Sequence, residues 1–176
     1  MIQEFTLTSN ELGGQASIKF VHDGCGGENK SPQLSWSNAP VGTKSFAIDC
    51  HDKDAPTPGG FWHWLVYNIP ANINELVSGA GTAGTSTDSG NTLCTTESAS
   101  LLPAGAIQAV NDNGLKEYSG PYPPPGHGWH TYTFTVYALD IENLDLPANL
   151  PCGGVGFNIW CHTLAKASIT TYYRNL

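Results

Sequence analysis

A proline-rich segment restricts the folds open to this chain more than any other feature. Gly120–His130 reads Gly-Pro-Tyr-Pro-Pro-Pro-Gly-His-Gly-Trp-His. Proline has no backbone N–H and a fixed φ, so this segment cannot form a helix and cannot pair as a central strand. It predicts a rigid, extended loop. Because the prolines are already restricted, such a loop can form the wall of a binding site at a low ordering cost.

Strand patterns dominate the rest of the chain. His130–Asp140 alternates with a period of two, and one face carries His130, Tyr132, Phe134, Val136 and Ala138. Lys44–Asp52 also alternates, with Phe46, Ile48 and Cys50 on one face. Phe61–Ile69 is apolar on both faces, which is typical of a central strand buried on two sides. Ser17–His22 alternates more weakly and predicts a further strand.

Helix patterns are few. Gly156–Ser168 predicts one helix, because its apolar residues have helical spacing: Phe157, Trp160, Leu164 and Ala167. The 12 prolines and 20 glycines favour short elements joined by turns. Ser78–Ser100 is rich in Gly, Ser and Thr and predicts a long surface loop. With no repeat or linker, residues 1–176 are expected to form a single, mainly β domain with one or two helices.

The charge of the chain excludes several classes of partner. Its net charge is -8, and its 7 Lys and Arg residues are scattered. Nucleic acid binding needs clustered cations, and so does polybasic attachment to a membrane. The N-terminus has no signal-peptide pattern, and no apolar stretch is long enough to span a bilayer. We therefore expect a cytoplasmic protein without direct membrane insertion, or a periplasmic or secreted one if a cleaved signal preceded Met1.

The cysteines indicate neither zinc nor a disulfide framework. There are five, at positions 25, 50, 94, 152 and 161, and none forms a Cys-x-x-Cys pair. A structural zinc site normally uses that paired spacing. We expect free thiols, with one disulfide left open for an exported protein.

A cluster of polar residues, in addition to the proline-rich loop, suggests a binding site. Asp52 and Asp54 lie where a strong strand ends, and Pro56 makes the chain turn there. Two carboxylates this close repel each other unless a donor or a cation lies between them. His63, early in the next strand, is predicted by its period of two to project with Phe61, Leu65 and Tyr67. On such an apolar face an imidazole needs a hydrogen-bond partner or a ligand.

A metal enzyme is the main enzymatic alternative. Two histidines and one carboxylate are a known metal-binding set. A hydrolase that uses Asp54 or His130 as a base would also fit these residues. Against catalysis, the chain has neither a Gly-x-Ser-x-Gly nor a Gly-x-x-x-x-Gly-Lys segment. We therefore expect no enzyme.

Two long motifs resemble the phosphatidylethanolamine-binding protein (PEBP) family, which includes the Raf kinase inhibitor proteins. The first runs from Ser31-Pro32 to Asn68-Ile69-Pro70 and contains Asp52-x-Asp54-Ala55-Pro56 and Trp62-His63-Trp64. The second is the Gly-Pro-x-Pro-Pro-Pro-Gly-His-Gly-x-His-x-Tyr run of Gly120–Tyr132. The similarity extends in order over nearly the whole chain.

The resemblance implies a large central antiparallel sheet flanked by a smaller sheet, with a pocket at one end of the large sheet. It also implies that the pocket holds a small anion, such as phosphate, acetate or a phosphoethanolamine headgroup, and that it uses no metal and no cofactor. The matching positions are Asp52, Asp54, His63, Pro124, Gly126, His130 and Tyr132. His127 and Trp129 are weaker candidates for the pocket rim.

Three positions depart from the usual family pattern: Lys53, Tyr122 and Thr131. An arginine usually stands where this chain has Thr131, so the ligand preference is open. Two functions fit the resemblance. One is the binding of a small anion or phosphorylated ligand. The other is regulation of a protein partner, a kinase or a protease, with the pocket recognising a phosphorylated residue.

Overall fold

A computed structural model describes residues 4–82 and 101–176. In these ranges the chain forms nine strands in two sheets, two short 3-10 turns and one α-helix. The expectation of a mainly β fold with one or two helices near the C-terminus is confirmed.

The larger sheet has six strands. In spatial order they are β2 (Gly14–Gln15), β9 (Thr163–Tyr173), β8 (His130–Leu139), β4 (Ser45–Asp52), β5 (Phe61–Pro70) and β7 (Ile107–Gln108). Neighbouring strands are antiparallel except for β2 and β9, which pair in parallel. The predicted antiparallel sheet is therefore mixed at one edge, and β4, β5 and β8 lie inside it.

A smaller antiparallel sheet covers one face of the larger one. Its strands are β1 (Thr6–Thr8), β3 (Leu34–Ser37) and β6 (Glu75–Leu76). The core on this face includes Trp36, Phe46, Ile48, Cys50, Trp64, Phe134 and Val136. The predicted alternation of β4 and β8 is confirmed, because their apolar residues at every second position point into this core.

The helix α1 (Cys152–His162) packs on the opposite face of the large sheet. It buries Val155 and Ile159, which are one turn apart, against Ala47 and Leu65 of the sheet. Since β5 contributes Leu65 to this core and Trp64 to the other, the prediction of a strand buried on both sides is also confirmed.

Two sequence predictions of secondary structure are wrong. The helix predicted at Gly156–Ser168 begins four residues earlier and ends at His162, and Leu164 and Ala167 belong to β9. This segment pairs with β8 along the length of that strand, so strand pairing overrides the helical spacing. Ser17–His22 contains a 3-10 turn at Ile18–Phe20 rather than a strand, and the Ser17 side chain accepts a hydrogen bond from the backbone N–H of Lys19.

Part of the loop predicted at Ser78–Ser100 is described. Ala80 and Gly81 are buried rather than on the surface, and residues 83–100 lie outside the described residues. The four cysteines of the described ranges are free thiols, while Cys94 lies outside them. Among the described helices, none has the length and apolar composition needed to cross a membrane.

Candidate functional site

A cavity of about 260 Å³ lies at one end of the large sheet, where β4 ends and its neighbours β5 and β8 begin. Antiparallel pairing brings these three strand ends together, so residues distant in sequence meet there. The lining residues are Asp52, Ala55, Pro56, Thr57, Phe61, His63, Asn113, Ser119, Gly120, Tyr122, Pro123, Pro124 and His130. The structure therefore brings together four of the predicted site residues: Asp52, His63, Pro124 and His130.

A chain of three side chains runs from the buried side of the cavity to the surface. Nδ1 of His130 lies 2.6 Å from Oδ2 of Asp52, and both side chains are almost completely buried. Nε2 of His130 lies 2.6 Å from Nδ1 of His127, which is exposed. Because the carboxylate can only accept, Nδ1 of His130 carries a hydrogen. One further proton must lie between the two imidazoles.

A β-bulge determines where His63 points. In the pairing of β4 with β5, Cys50 is opposite Trp64 but His51 is opposite Trp62, so His63 is an extra residue in β5. A bulge of this kind re-aims the side chain that it carries. Phe61 lines the cavity with His63, as the period of two predicts, but the prediction is wrong for Leu65 and Tyr67. Those residues face α1, whereas His63 faces the cavity.

The His63 imidazole is buried and has a defined tautomer. Its Nδ1–H donates to the carbonyl oxygen of Ser119 at 2.7 Å, and the ring packs edge-on against Tyr132. Burial lowers the pKa of His63 to about 4, although the carbonyls of Ser119 and Gly120 and the carboxylate of Asp52 act in the opposite direction. At neutral pH the ring is uncharged, and its Nε2 is an acceptor.

The other predicted site residues lie around the cavity without lining it. Asp54 is exposed, and its carboxylate accepts a hydrogen bond from the backbone N–H of Thr131 at 2.8 Å. The backbone N–H of Gly126 donates to Asn175 at 3.3 Å. Tyr132 is fully buried between the imidazoles, packing against His63 and His130.

The Tyr132 hydroxyl has no hydrogen bond of ordinary geometry among the described residues, although the Tyr122 backbone approaches it. Burial, first of all, and the charge of Asp52 raise the pKa of Tyr132, so the phenol keeps its proton. It is a donor close to the two imidazoles.

The two candidates for the rim differ. His127 reaches the site through its contact with His130. Trp129 packs instead against Tyr172 and Arg174, and it lines a separate groove near the C-terminus.

Several lining residues were not predicted from the sequence. Ser119 and Gly120 act on His63 through their backbone carbonyls, which every residue type has. They are brought there by a turn around Asn111, whose side-chain oxygen accepts from two backbone N–H groups and whose amide donates to the carbonyl of Glu117. The Asn-Asp-Asn-Gly sequence of this turn is the signal that could have located it.

The described lining of the cavity is acidic rather than cationic. Among the described residues that line it, none is Lys or Arg, and Asp52 is its acidic member. Lys53 is exposed and does not line the cavity. Within the described ranges, no group of three or more His, Cys, Asp or Glu side chains is placed to hold a metal ion.

Comparison with known proteins gives the family. The sequence model described as phosphatidylethanolamine-binding protein matches residues 8–174. The chain is 40% identical over 171 residues to the UPF0098 protein YbhB of Escherichia coli, covering 95% of this chain and 98% of YbhB.

Solved structures of similar proteins indicate the same family. The crystal structure of Escherichia coli YbcL, described as a new member of the mammalian PEBP family, has a TM-score of 0.87 at 39% identity and covers 99% of this chain and 100% of YbcL. The phosphatidylethanolamine-binding protein of Plasmodium vivax shares the fold alone, with a TM-score of 0.51 at 16% identity over 98% of this chain and 86% of the other. The resemblance seen in the sequence motifs is therefore confirmed, and the chain belongs to the phosphatidylethanolamine-binding protein family.

Proposed function

We propose that this protein binds a small anion or phosphorylated ligand, of the size of a phosphoethanolamine headgroup, in the cavity at the end of β4, β5 and β8. The meeting of Asp52, His63 and His130 around that cavity is the observation that carries the proposal. Imidazoles near loop backbone at the end of a rigid sheet can hold phosphoryl or carboxyl oxygens. The proposal includes no catalytic step.

The size of the cavity limits the ligand. Its volume of about 260 Å³ is smaller than the pockets that hold drug-sized molecules, which begin at roughly 300 Å³. A headgroup fits this space, whereas the acyl chains of a whole lipid do not. The carboxylate of Asp52 and the carbonyl of Ser119 are acceptors that could take an ammonium group, so a zwitterion also fits.

Calorimetric titration with phosphoethanolamine at neutral pH, with and without EDTA, tests the proposal. His130→Ala should abolish saturable binding, because it removes part of the cavity wall and leaves the buried carboxylate of Asp52 without its partner. His162→Ala is the matched control, since that imidazole is half-exposed and pairs with Asp140 at the end of α1. We expect binding that EDTA does not change. No saturable heat with the native chain would reject the proposal, and loss of binding in EDTA would indicate a metal.

A second candidate is a regulatory protein that docks on a kinase or protease and receives a phosphorylated side chain in the cavity. The observation that favours it is Tyr122, which lines the cavity, is 52% exposed and stacks on His22 at 4.9 Å. Exposed tyrosines are common in protein interfaces. Capture of one partner that free phosphoethanolamine displaces, and that Tyr122→Ala loses, would support this function.

A further inference from the structure

The cavity offers an anion no permanent positive charge. Asp52 is its acidic lining residue, and among the described residues no Lys or Arg lines it. The Asp52–His130 pair is at best neutral overall, because a proton on the imidazole is matched by the carboxylate. An anion that enters this space therefore needs positive charge from another source.

Hydrogen bonding among the histidines leaves few donors for an anion. Each ring nitrogen forms one hydrogen bond in the plane of the ring. Nδ1 of His63 is used by the Ser119 carbonyl, and both nitrogens of His130 are used, by Asp52 and by His127. Of the imidazole nitrogens that line the cavity in the described structure, Nε2 of His63 is left. In the neutral ring this atom accepts and cannot donate.

We infer that the site takes up one proton with its oxyanion, and that this proton resides on Nε2 of His63, which it converts from an acceptor into a charged donor. The inference rests on the proposed function and specifies how that function depends on pH. The proton comes from solvent when the ligand is fully ionised, and from the ligand when it is a monobasic acid.

The surroundings of His63 allow such a change. From β4 the carboxylate of Asp52 favours the imidazolium, and His51 has a smaller, opposite effect. From β8 the protonated phenol of Tyr132 packs against the ring, and from the preceding loop the carbonyls of Ser119 and Gly120 favour the charged form. In the free protein burial outweighs these contributions and lowers the pKa of His63 to about 4. The ring is therefore neutral at any pH well above that value.

A bound anion changes this balance because an opposite charge at contact distance favours the imidazolium. If binding requires one proton that the free protein lacks, the association constant is proportional to the proton concentration. Affinity should then rise about tenfold for each pH unit of acidification, as long as the pH stays above the pKa of free His63.

Sulfate is the probe, because it stays a dianion in this range and cannot supply the proton itself. Calorimetric titrations at about pH 7.5, 6.5 and 5.5 should show an affinity that rises roughly tenfold per step. At one pH, titrations in two buffers with different ionisation enthalpies should give different heats. The difference should correspond to uptake of about one proton per sulfate.

Three variants locate the proton. His63→Gln replaces the imidazole with an amide, which can donate a hydrogen bond but does not titrate. The sulfate affinity of this variant should therefore be independent of pH. His162→Gln, at the half-exposed end of α1, should keep the native pH dependence, and His127→Gln, beside His130, tests whether the proton lies between those two imidazoles instead. If His127→Gln loses the pH dependence and His63→Gln keeps it, the proton is not on His63 and the inference is wrong. Circular dichroism checks that each variant is folded, and the two-buffer measurement on the native chain does not depend on the variants.

The possible results distinguish failure of the proton uptake from failure of anion binding itself. Saturable sulfate binding with equal heats in both buffers and constant affinity would overturn the proton uptake and leave anion binding in place. No binding of sulfate or of phosphoethanolamine at any of these pH values would overturn both.

Discussion

The carboxylate of Asp52 holds Nδ1 of His130 at 2.6 Å, across two neighbouring strands and with both side chains at most 3% exposed. Its other oxygen accepts the backbone N–H of Asp54 at 2.8 Å. One side chain therefore fixes both the turn after β4 and the imidazole at the start of β8. The shape of the cavity depends on this carboxylate, because those two segments form much of its wall.

We expect Asp52→Asn to destabilise the protein. An amide can accept through only one of its two polar atoms, so either a buried donor faces another donor or His130 must move its proton from Nδ1 to Nε2. Leaving a buried donor unpaired, and removing one charge of a buried pair, should lower the free energy of unfolding by about 3 kcal/mol. Urea denaturation at neutral pH measures the change.

Asp140→Asn is the matched control. Asp140 pairs with Nδ1 of His162 at 2.8 Å, but its side chain is 52% exposed. Exposed pairs contribute little, so its loss should change the free energy of unfolding by less than about 1 kcal/mol. Equal effects of the two substitutions would show that burial of the Asp52–His130 pair has no energetic consequence.

The meeting of Asp52 and His130 is implied by the family resemblance, and the pairing of β4 with β8 gives the physical reason. Asp52 ends an alternating strand and His130 begins another, and antiparallel pairing places such ends together. The position of His63 could not be predicted, because a period-two pattern does not reveal the extra residue of a β-bulge. The Ser119 carbonyl that fixes the His63 tautomer is also invisible in sequence, since it is a backbone group.

The end of the helix shows another limit of sequence patterns. Leu164 and Ala167 have helical spacing, but their separation also suits a strand with one residue outward and the other inward. Leu164 is exposed in β9, and Ala167 packs against the core between the sheets. Only the neighbouring strand β8 decides between the two, and that partner is distant in sequence.

Asp49 should make the protein less stable as pH rises. It is buried beneath α1, and its carboxyl accepts a hydrogen bond from the Tyr137 hydroxyl at 2.7 Å. Burial raises the pKa of Asp49 to about 7, despite the hydrogen bonds and nearby lysines that act against it. Between about pH 4 and 7 the unfolded chain has lost this proton while the folded chain keeps it, so the contribution of Asp49 to the free energy of unfolding falls by about 1.4 kcal/mol per pH unit.

Asp49→Asn removes this dependence. The difference in free energy of unfolding, variant minus native, should become more positive from about pH 4 to 7 and stay constant above that range. Urea denaturation across these pH values gives the difference. The exposed Asp145→Asn serves as the control, with a curve parallel to that of the native chain. A parallel curve for Asp49→Asn as well would mean that Asp49 is ionised in the folded protein throughout.

His63 should have the opposite effect on stability. Its lowered pKa, about 4, means that the unfolded chain binds a proton below about pH 6.5 while the folded chain does not. The contribution of His63 to the free energy of unfolding is therefore fully present above about pH 6.5 and is lost as the pH falls toward about 4.

Asp49 and His63 change the free energy of unfolding in opposite directions over nearly the same pH range. The pH dependence of the native protein alone therefore reveals neither contribution. His63→Gln should make the protein less sensitive to acid, so that its free energy of unfolding approaches or exceeds the native value near pH 4. A variant equally destabilised at every pH would show that His63 contributes packing and hydrogen bonding alone.

Gly120 should tolerate no side chain, because the loop that closes the cavity runs directly against the backbone of Phe20 and His22. A Cβ at position 120 would lie 2.2 Å from the carbonyl oxygen of Phe20 and 2.6 Å from the backbone nitrogen of His22. Backbone atoms cannot move aside as a flexible side chain does. Gly120→Ala should therefore lower the free energy of unfolding by roughly 1–3 kcal/mol and displace the adjacent Ser119 carbonyl from His63.

Gly153→Ala distinguishes this close contact from the general effect of replacing glycine. Gly153 lies in the first turn of α1, and a Cβ there would meet no atom within 4 Å. Alanine favours helix over glycine, so this variant should gain roughly 0.5–1 kcal/mol. Urea denaturation of both variants should give changes of opposite sign, and phosphoethanolamine affinity should fall in Gly120→Ala alone. If Gly120→Ala keeps native stability and affinity, the loop is free to shift, and the position of the Ser119 carbonyl does not control the site.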